Sequence, residues 1–400
     1  MTELPFPEGF LWGAATSAYQ VEGGNAKSDW AEWERNTGHE ACGAAAGQYE
    51  RFAEDFSLAK SLSHNAHRLG VEWARLNPSQ GVWDEEAIRH YQTVLSTLRR
   101  LGFKVCVTLH HFTLPAWLAK RGGWEWAGTL GAWREFVALA AERFGGWVDL
   151  WITINEPTIH ATQAYLFGAW PPQAHSRSRA VAVLKNLLRA HTEAYRLLHE
   201  KLPSAQVGFA HNVISLEPLR PWLVTDRWAA HRADRFWNTF ALEETAGQHD
   251  FLGLNYYFHQ RAFLSLNPRR MLVGFADPKR LRLEVSRLGW EVRPSGLGEM
   301  LARFGEKYTL PLYVTENGID PVDESQRTSF LVRSLGEVHS AIASGADVKG
   351  YFYWSLVDNF EWDKGFAPKF GLVEVDRSTL KRTPREAAYE FKRIAESNAL

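Results

Sequence analysis

Eight apolar runs recur along the chain, each parted from the next by a longer connection, and this recurrence constrains the fold more than any other feature. The runs are FLWGAAT near Trp12, AHRLGVEW near Arg68, KVCVTLHH near His111, LWITINEP at Glu156, QVGFAHNV near His211, FLGLNYY at Tyr257, LYVTENG at Glu316 and VKGYFYWSLVD at Trp354. Each reads as a strand. Between them AIRHYQTVLSTLRRLG (Ala87 to Gly102), WREFVALAAERFG (Trp133 to Gly145), AVLKNLLRAHTEAYRLLHE (Ala182 to Glu200) and SFLVRSLGEVHSAIASG (Ser329 to Gly345) carry apolar residues at the 3.6-residue helical period. Three of these helices stop at glycine, the residue a left-handed C-cap favours. Strands alternating with helices predict parallel pairing, and eight such strands close on themselves. The expected architecture is α/β, a single (β/α)8 TIM barrel, with residues 1–400 forming one domain, since no Ser/Gly/Pro-rich linker or shift in composition divides them.

In such a barrel, chemistry belongs at the C-terminal ends of the strands, where the loops converge on a pocket. The unusual polar and aromatic residues fall at those ends: Gln20, Arg68, His111, Asn155, Glu156, Tyr257, Glu316, Trp354 and Glu361. Two of them weigh most. Glu156 closes WITINEP and Glu316 closes LYVTENG, so each carboxylate sits where an apolar strand meets a loop. Taken singly, a Glu before Pro or Asn-Gly is as well explained as a solvated strand exit. Together on one rim they make the layout of a two-carboxylate sugar-cleaving enzyme.

Composition excludes other classes. A hydrophobic share of 45% with 23% charged residues is that of a globular protein with a sizeable core. A formal charge of −1 gives no long-range attraction to nucleic acid or to an anionic membrane. The most basic stretch, with Arg269, Arg270, Lys279, Arg280, Arg282 and Arg287, is broken by apolar and acidic residues and reads as a solvated loop and helix face. Cys42 and Cys106 suggest no disulfide and no zinc site. His110 and His111 are adjacent in a strand and must face opposite ways, which argues against a shared metal. The N-terminus lacks the basic and apolar regions of a secretion signal, and no apolar run reaches membrane-spanning length, so a cytoplasmic enzyme is expected. Eighteen tryptophans are far above the ordinary share. Some must be core, but Trp also stacks on the apolar face of a sugar ring.

From FLWGAATSAYQVEG (Phe10 to Gly23) through TLHHFTLP, TINEP, GLNYY, VTENG and YFYWSLVDNFEWDKGF to PKFGL, the sequence resembles glycoside hydrolase family 1, the retaining β-glucosidase and β-galactosidase family, over essentially its whole length. Seven matching segments in order are far more specific than TENG alone. The resemblance implies that Glu156 is the acid and then the base, and that Glu316 is the nucleophile of a glycosyl-enzyme intermediate. It implies that Arg68 and Tyr257 keep Glu316 ionised and oriented. The bland alternatives are a surface ion pair for Arg68 and a packed rim aromatic for Tyr257, with Tyr256 as core. Gln20, His111, Asn155 and Glu361 would hydrogen-bond the non-reducing-end sugar, Trp354 would stack beneath it, Trp362 would donate its indole N–H, and Phe370 would close the rim. For His111 the alternative is a satisfied core histidine, the role given to His110.

Departures from the family pattern bear on specificity. Where the family commonly has Trp and Asp in HWDLP, this chain has Phe112 and Thr113, so one indole donor to the sugar is absent. A brief connection, NTFALEETAGQHD, joins the region of Phe236 to the strand at Phe251. Trp170 and Trp290 are candidates to line the resulting aglycone side, with core packing as the alternative. The expected activity is a retaining β-glycosidase acting on small β-glycosides or oligosaccharides with terminal β-linked glucose, galactose or fucose, without metal or organic cofactor. Two rivals are a 6-phospho-β-glycosidase, which would need a phosphate cage where Glu361 stands, and a catalytically silent sugar-binding barrel, which would be expected to lack one glutamate.

Overall fold

The computed structural model describes residues 4–267 and 272–400, so Arg269 and Arg270 of the basic stretch lie outside the described residues. The main sheet has nine strands: β1 (Leu11–Ala15), β2 (Ala66–Gly70), β3 (Lys104–His110), β4 (Leu150–Asn155), β5 (Gln206–Pro218), β6 (Leu252–Leu264), β7 (Val273–Phe275), β8 (Leu312–Asn317) and β9 (Val348–Trp354). All but β7 pair in parallel and close into a barrel, in the order β5-β4-β3-β2-β1-β9-β8-β6, with β6 returning to β5. Each of the eight apolar runs supplies one barrel strand. β7 adds to β6 as an antiparallel edge, and β10 (Val373–Val375) pairs with β11 (Arg382–Pro384) in a separate ribbon.

Alternation along the strands builds two core layers. In β9, Phe352 and Trp354 point into the barrel beside Ala15, Ala66, Cys106 and Ile152, whereas Tyr351 and Tyr353 point outward into the larger core beneath the helices. The inner layer rises without a break to Trp354 and Phe370, with Tyr257 and Trp290 packed against it. The floor of the pocket is therefore the top of the barrel core. Most large aromatic side chains serve packing: Trp12, Trp30, Trp73, Trp124, Trp133 and Trp151 are fully buried.

The helices begin upstream of their apolar stripes, because capping side chains set the start. Asp84 caps Glu85–Arg100, Ser176 caps Arg177–Lys201 and Asp323 caps Glu324–Ala343, each accepting from a backbone N–H of the first turn. Two of the three terminal glycines are left-handed as expected, Gly102 at φ 78° and Gly345 at φ 99°. Gly145 is not. Its φ is −52°, because the chain leaves Thr129–Phe144 directly into a tighter 3-10 turn, Gly145–Trp147. The described part of the basic stretch departs from expectation too: Lys279, Arg280, Arg282 and Arg287 are exposed in turns and extended chain, with no helix.

The connection after β5 is short and broken. An 11-residue helix, Val224–Asp234, passes through a π-turn, Arg235–Thr239, into a five-residue helix, Phe240–Glu244. β5 and β6 meanwhile run on together as far as the pair Pro218 and Ala262, longer than any other barrel strand.

Candidate active site

Irregular strand tops aim the side chains. Register shifts fall between Ile152 and Asn155 in β4, between Leu254 and Asn255 in β6, and between Val314 and Asn317 in β8. Such bulges turn a side chain that regular alternation would send elsewhere. Asn155, Asn255 and Glu316 thereby meet in one buried cluster. Glu156 adds a left-handed backbone, φ 46° and ψ 61°, a conformation uncommon for a residue with a Cβ, just before Pro157 opens a short helix. Phe112 at φ 74° and Trp362 at φ 52° share that conformation in the same pocket. Behind Glu316 the main chain of Gly318 nearly touches β9: a Cβ there would lie 1.9 Å from the Trp354 carbonyl oxygen. Only glycine fits.

The two glutamates have different neighbours. Arg68 Nη1 donates to Glu316 Oε1 at 2.5 Å and Tyr257 Oη donates to Oε2 at 2.7 Å. Arg68 is itself held by Thr108 and, through Nη2, by Asn155 Oδ1 at 2.7 Å. Glu156 has no ion pair among the described residues. Its Oε1 accepts from Asn255 Nδ2 at 2.8 Å and from Asn212 Nδ2 at 3.1 Å.

Electrostatics follow those contacts. Burial lifts the Glu316 carboxyl above its ordinary range, and the Arg68 charge with the Tyr257 and Arg68 hydrogen bonds pulls it back. Burial pushes Glu156 up to about 8, and the neighbouring Glu316 charge adds to it. Arg68 pairs with Glu316 and not with Glu156, which favours the charge on Glu316. Glu361 is pushed up to about 8, by burial first and then by Glu316, Asp363 and Glu156. Burial and the Glu316 charge keep the Tyr257 phenol protonated, while burial and the Arg68 charge keep His111 neutral.

The polar wall and the aromatic wall meet at His111. Its Nε2 lies 3.3 Å from Asn155 Nδ2, which leaves Nδ1 to carry the ring proton without a protein partner. The ring is nearly parallel to both Trp354 and Trp362. His110 faces the other way, into Trp124, Trp133 and His160. Gln20 donates to Glu361 Oε2 at 3.3 Å and to the Phe360 carbonyl at 2.8 Å, so these two residues share one corner. Phe370 packs edge-on to Tyr257, and Trp290 lies against Tyr257, Phe258 and Phe370. Tyr256 points outward into the core and donates to the Arg293 carbonyl.

Trp170 is a different matter. It is 8% exposed, packs on Trp30, Phe112 and Trp362, and donates its indole N–H to Asp363 Oδ1 at 2.8 Å. With its only polar atom committed and its ring enclosed, it is a packed wall behind Trp362 and not an open aglycone surface. Phe112 fills the space between these rings, and Thr113 turns away to donate both ways to Glu72 at 3.0 Å.

Two residues escaped the sequence reading. Asn255 bridges Asn155 and Glu156, and Asn212 supports Glu156. Period-two alternation could have found Asn255, since it shares a strand face with Tyr257. Among the described residues no group of three or more His, Cys, Asp or Glu side chains could hold a metal ion, and no helix is long and apolar enough to cross a membrane.

The sequence profile of glycosyl hydrolase family 1 matches residues 2–247 and 241–400. The chain is 31% identical to β-glucosidase A of Thermotoga maritima, over all of both chains, and 29% identical to a β-galactosidase of Pyrococcus woesei, over 99% of this chain and 98% of the other. Among solved structures it superposes on a β-glycosidase from Pyrococcus horikoshii with a TM-score of 0.94 and 36% identity, over 100% of this chain and 96% of that one. It superposes equally well, at 29% identity and over 100% of both chains, on the T. maritima family 1 β-glucosidase in complex with isofagomine lactam. With its closed eight-stranded parallel barrel and its two buried glutamates, the chain belongs to glycosyl hydrolase family 1.

Proposed function

We propose that the protein is a retaining β-glycosidase that removes terminal non-reducing β-D-glucosyl residues, and also β-galactosyl and β-fucosyl residues, from small glycosides and oligosaccharides, with residues 1–400 acting as one catalytic unit. The observation that carries this reading is the unequal setting of the two carboxyls: Glu316 is ion-paired to Arg68, and Glu156 is held by amides alone and pushed up to about 8. One carboxylate ready to attack and one acid ready to donate are what double displacement requires.

In the first step Glu316 attacks the anomeric carbon, and the bond to the leaving oxygen breaks as Glu156 delivers its proton there. The product is a glycosyl ester on Glu316 and a free alcohol. In the second step Glu156, now a carboxylate, takes a proton from water, whose oxygen displaces Glu316 and restores the β configuration. Arg68 and Tyr257 keep the nucleophile oriented between steps. Asn155 and His111 offer an amide and a ring N–H to the sugar, Gln20 and Glu361 offer a donor and an acceptor to adjacent hydroxyls, Trp354 lies below as a stacking face, and Trp362 adds its indole N–H. Phe370 and Trp290 border the opening. No metal or organic cofactor takes part in these steps.

The phosphorylated-substrate alternative has less support. Lys364, which could have served a phosphate, sits 2.5 Å from Asp363, and Glu361 stands in the sugar corner beside Gln20. The test is a panel of nitrophenyl β-glycosides with product configuration followed by proton NMR. Initial release of the β-anomer supports the reading, and initial release of the α-anomer rejects it.

A further inference from the structure

A cavity of about 890 Å³ lies on the outer wall of the barrel, apart from the pocket just described, with neither Glu156 nor Glu316 among its lining residues. Its walls are the N-terminal half of the helix Arg177–Lys201, the broken connection 224–244, residues of the segment 161–167, and β7. The two matched segments of the family profile meet and overlap here, at residues 241–247. A short helix, a π-turn and another short helix stand in the wall, and the groove opens beside them.

The groove is apolar inside and cationic at its edge. Leu184, Phe236, Phe240 and Phe275 line it, and Trp228 and Phe167, 43% and 50% exposed, stand at its mouth. Arg177, Lys185, Arg232 and Arg235 also line it, and none of them forms an ion pair with a described carboxylate. No Asp or Glu is among the described lining residues. The Arg232 guanidinium lies 5.5 Å from the Trp228 ring centroid. In a chain of net charge −1, four uncompensated cations around one hydrophobic groove are a local imbalance that an anion with a long apolar body would correct. The size lies within the range of about 300–1,000 Å³ typical of small-ligand sites. Along its helix wall, Arg177 to Lys185 spans about 12 Å at 1.5 Å per residue.

We propose that this groove binds a free long-chain carboxylate, the acyl chain lying along the helix Arg177–Lys201 and the carboxylate held by Arg232 and Arg235. Isothermal titration of the full chain with sodium dodecanoate, below its micelle concentration, tests this. One saturable site is expected. Binding should weaken about tenfold or more in the double variant Arg232→Gln/Arg235→Gln and for dodecanol in place of dodecanoate. Val181→Trp, which fills the groove from an exposed helix position, should weaken it as much. Both variants should keep the parent rate on a nitrophenyl β-glucoside, which shows that they fold and separates this site from the catalytic reading. Absence of saturable binding, dodecanol binding as tightly as dodecanoate, or undiminished binding in either variant overturns the proposal. So does co-flotation with phosphatidylglycerol vesicles without binding of dodecanoate, which would assign the same surface to a membrane.

Discussion

Arg68 holds Glu316 at 2.5 Å through one nitrogen and Asn155 at 2.7 Å through another, so a single buried cation ties the carboxylate at the top of β8 to the amide at the top of β4. Glu156, the next residue after Asn155, receives no such contact. The asymmetry between the two carboxyls is thus built from neighbours on different strands, and it sets what each residue can do.

Changing Glu316 to Ala should lower hydrolysis on the order of thousandfold or more, since among the described residues no other carboxylate pairs with Arg68. The vacated space should admit azide. Restored turnover yielding the α-glycosyl azide from a β-glycoside is the expected product by NMR. A β-azide from this variant would assign attack to another group.

Loss of Glu156 should depend on the leaving group. Glu156→Gln should slow glycosylation by about 10² to 10⁴-fold for alkyl glycosides and far less for dinitrophenyl glycosides, because a good leaving group scarcely needs a proton. Uniform losses across leaving groups would refute the acid role.

The pH profile follows from the same pair. Glu156 must carry its proton for the first step, so kcat/KM should fall as pH rises through about 8. Glu316 must be ionised, so activity should also fall on acidification, at a pH above the ordinary carboxylate range because burial raises that group. Asn212 donates to Glu156 and not to Glu316. Asn212→Ala removes a hydrogen bond that favours ionised Glu156, so it should move only the alkaline limb, upward by about one pH unit. A shifted acid limb would contradict this division.

The strand tops explain what sequence could and could not convey. WITINEP and LYVTENG disclose Glu156 and Glu316 because carboxylates ending apolar strands are conspicuous, and Arg68 stands out for being a charge inside a strand. The register shifts at Ile152, Leu254 and Val314 leave no mark in composition, yet they decide which residues face the pocket. Asn212 carries no such signal, and Asn255 is marked only by the strand face it shares with Tyr257. For Trp170 the sequence leaves aglycone surface and core packing both open, because the partner that commits its indole N–H, Asp363, lies 193 residues away. Gly145 misled because a C-terminal glycine signals an ending, not the turn that follows it.

That partnership is itself testable. Trp170→Phe keeps the ring packed against Trp362 but leaves the Asp363 oxygen without its indole donor. A loss of about 1–2 kcal/mol in stability is expected by denaturant unfolding. KM should rise to a similar degree for nitrophenyl, alkyl and oligosaccharide substrates that share one glycone. Effects confined to one aglycone would return Trp170 to the aglycone surface.

Specificity turns on Glu361. It accepts from Gln20 at 3.3 Å and has no ion pair among the described residues, while the Glu316 and Asp363 charges lie close to it. A phosphate on the sugar would add charge to that corner and be repelled. The 4-hydroxyls of glucose and galactose differ only in direction, and one carboxylate on a rotatable side chain can accept from either. Phe112 supplies no indole N–H to enforce the equatorial arrangement, and its ring is packed against Trp362 and Trp170. β-Glucosides, β-galactosides and β-fucosides should therefore be cleaved with kcat/KM values within about two decades of one another, a span of roughly 2.7 kcal/mol. The 6-phosphoglucosides should be poor substrates. Kinetics on the matched nitrophenyl series measures both, and preference for the phosphorylated sugar over its parent would remove Glu361 from the role of hydroxyl acceptor.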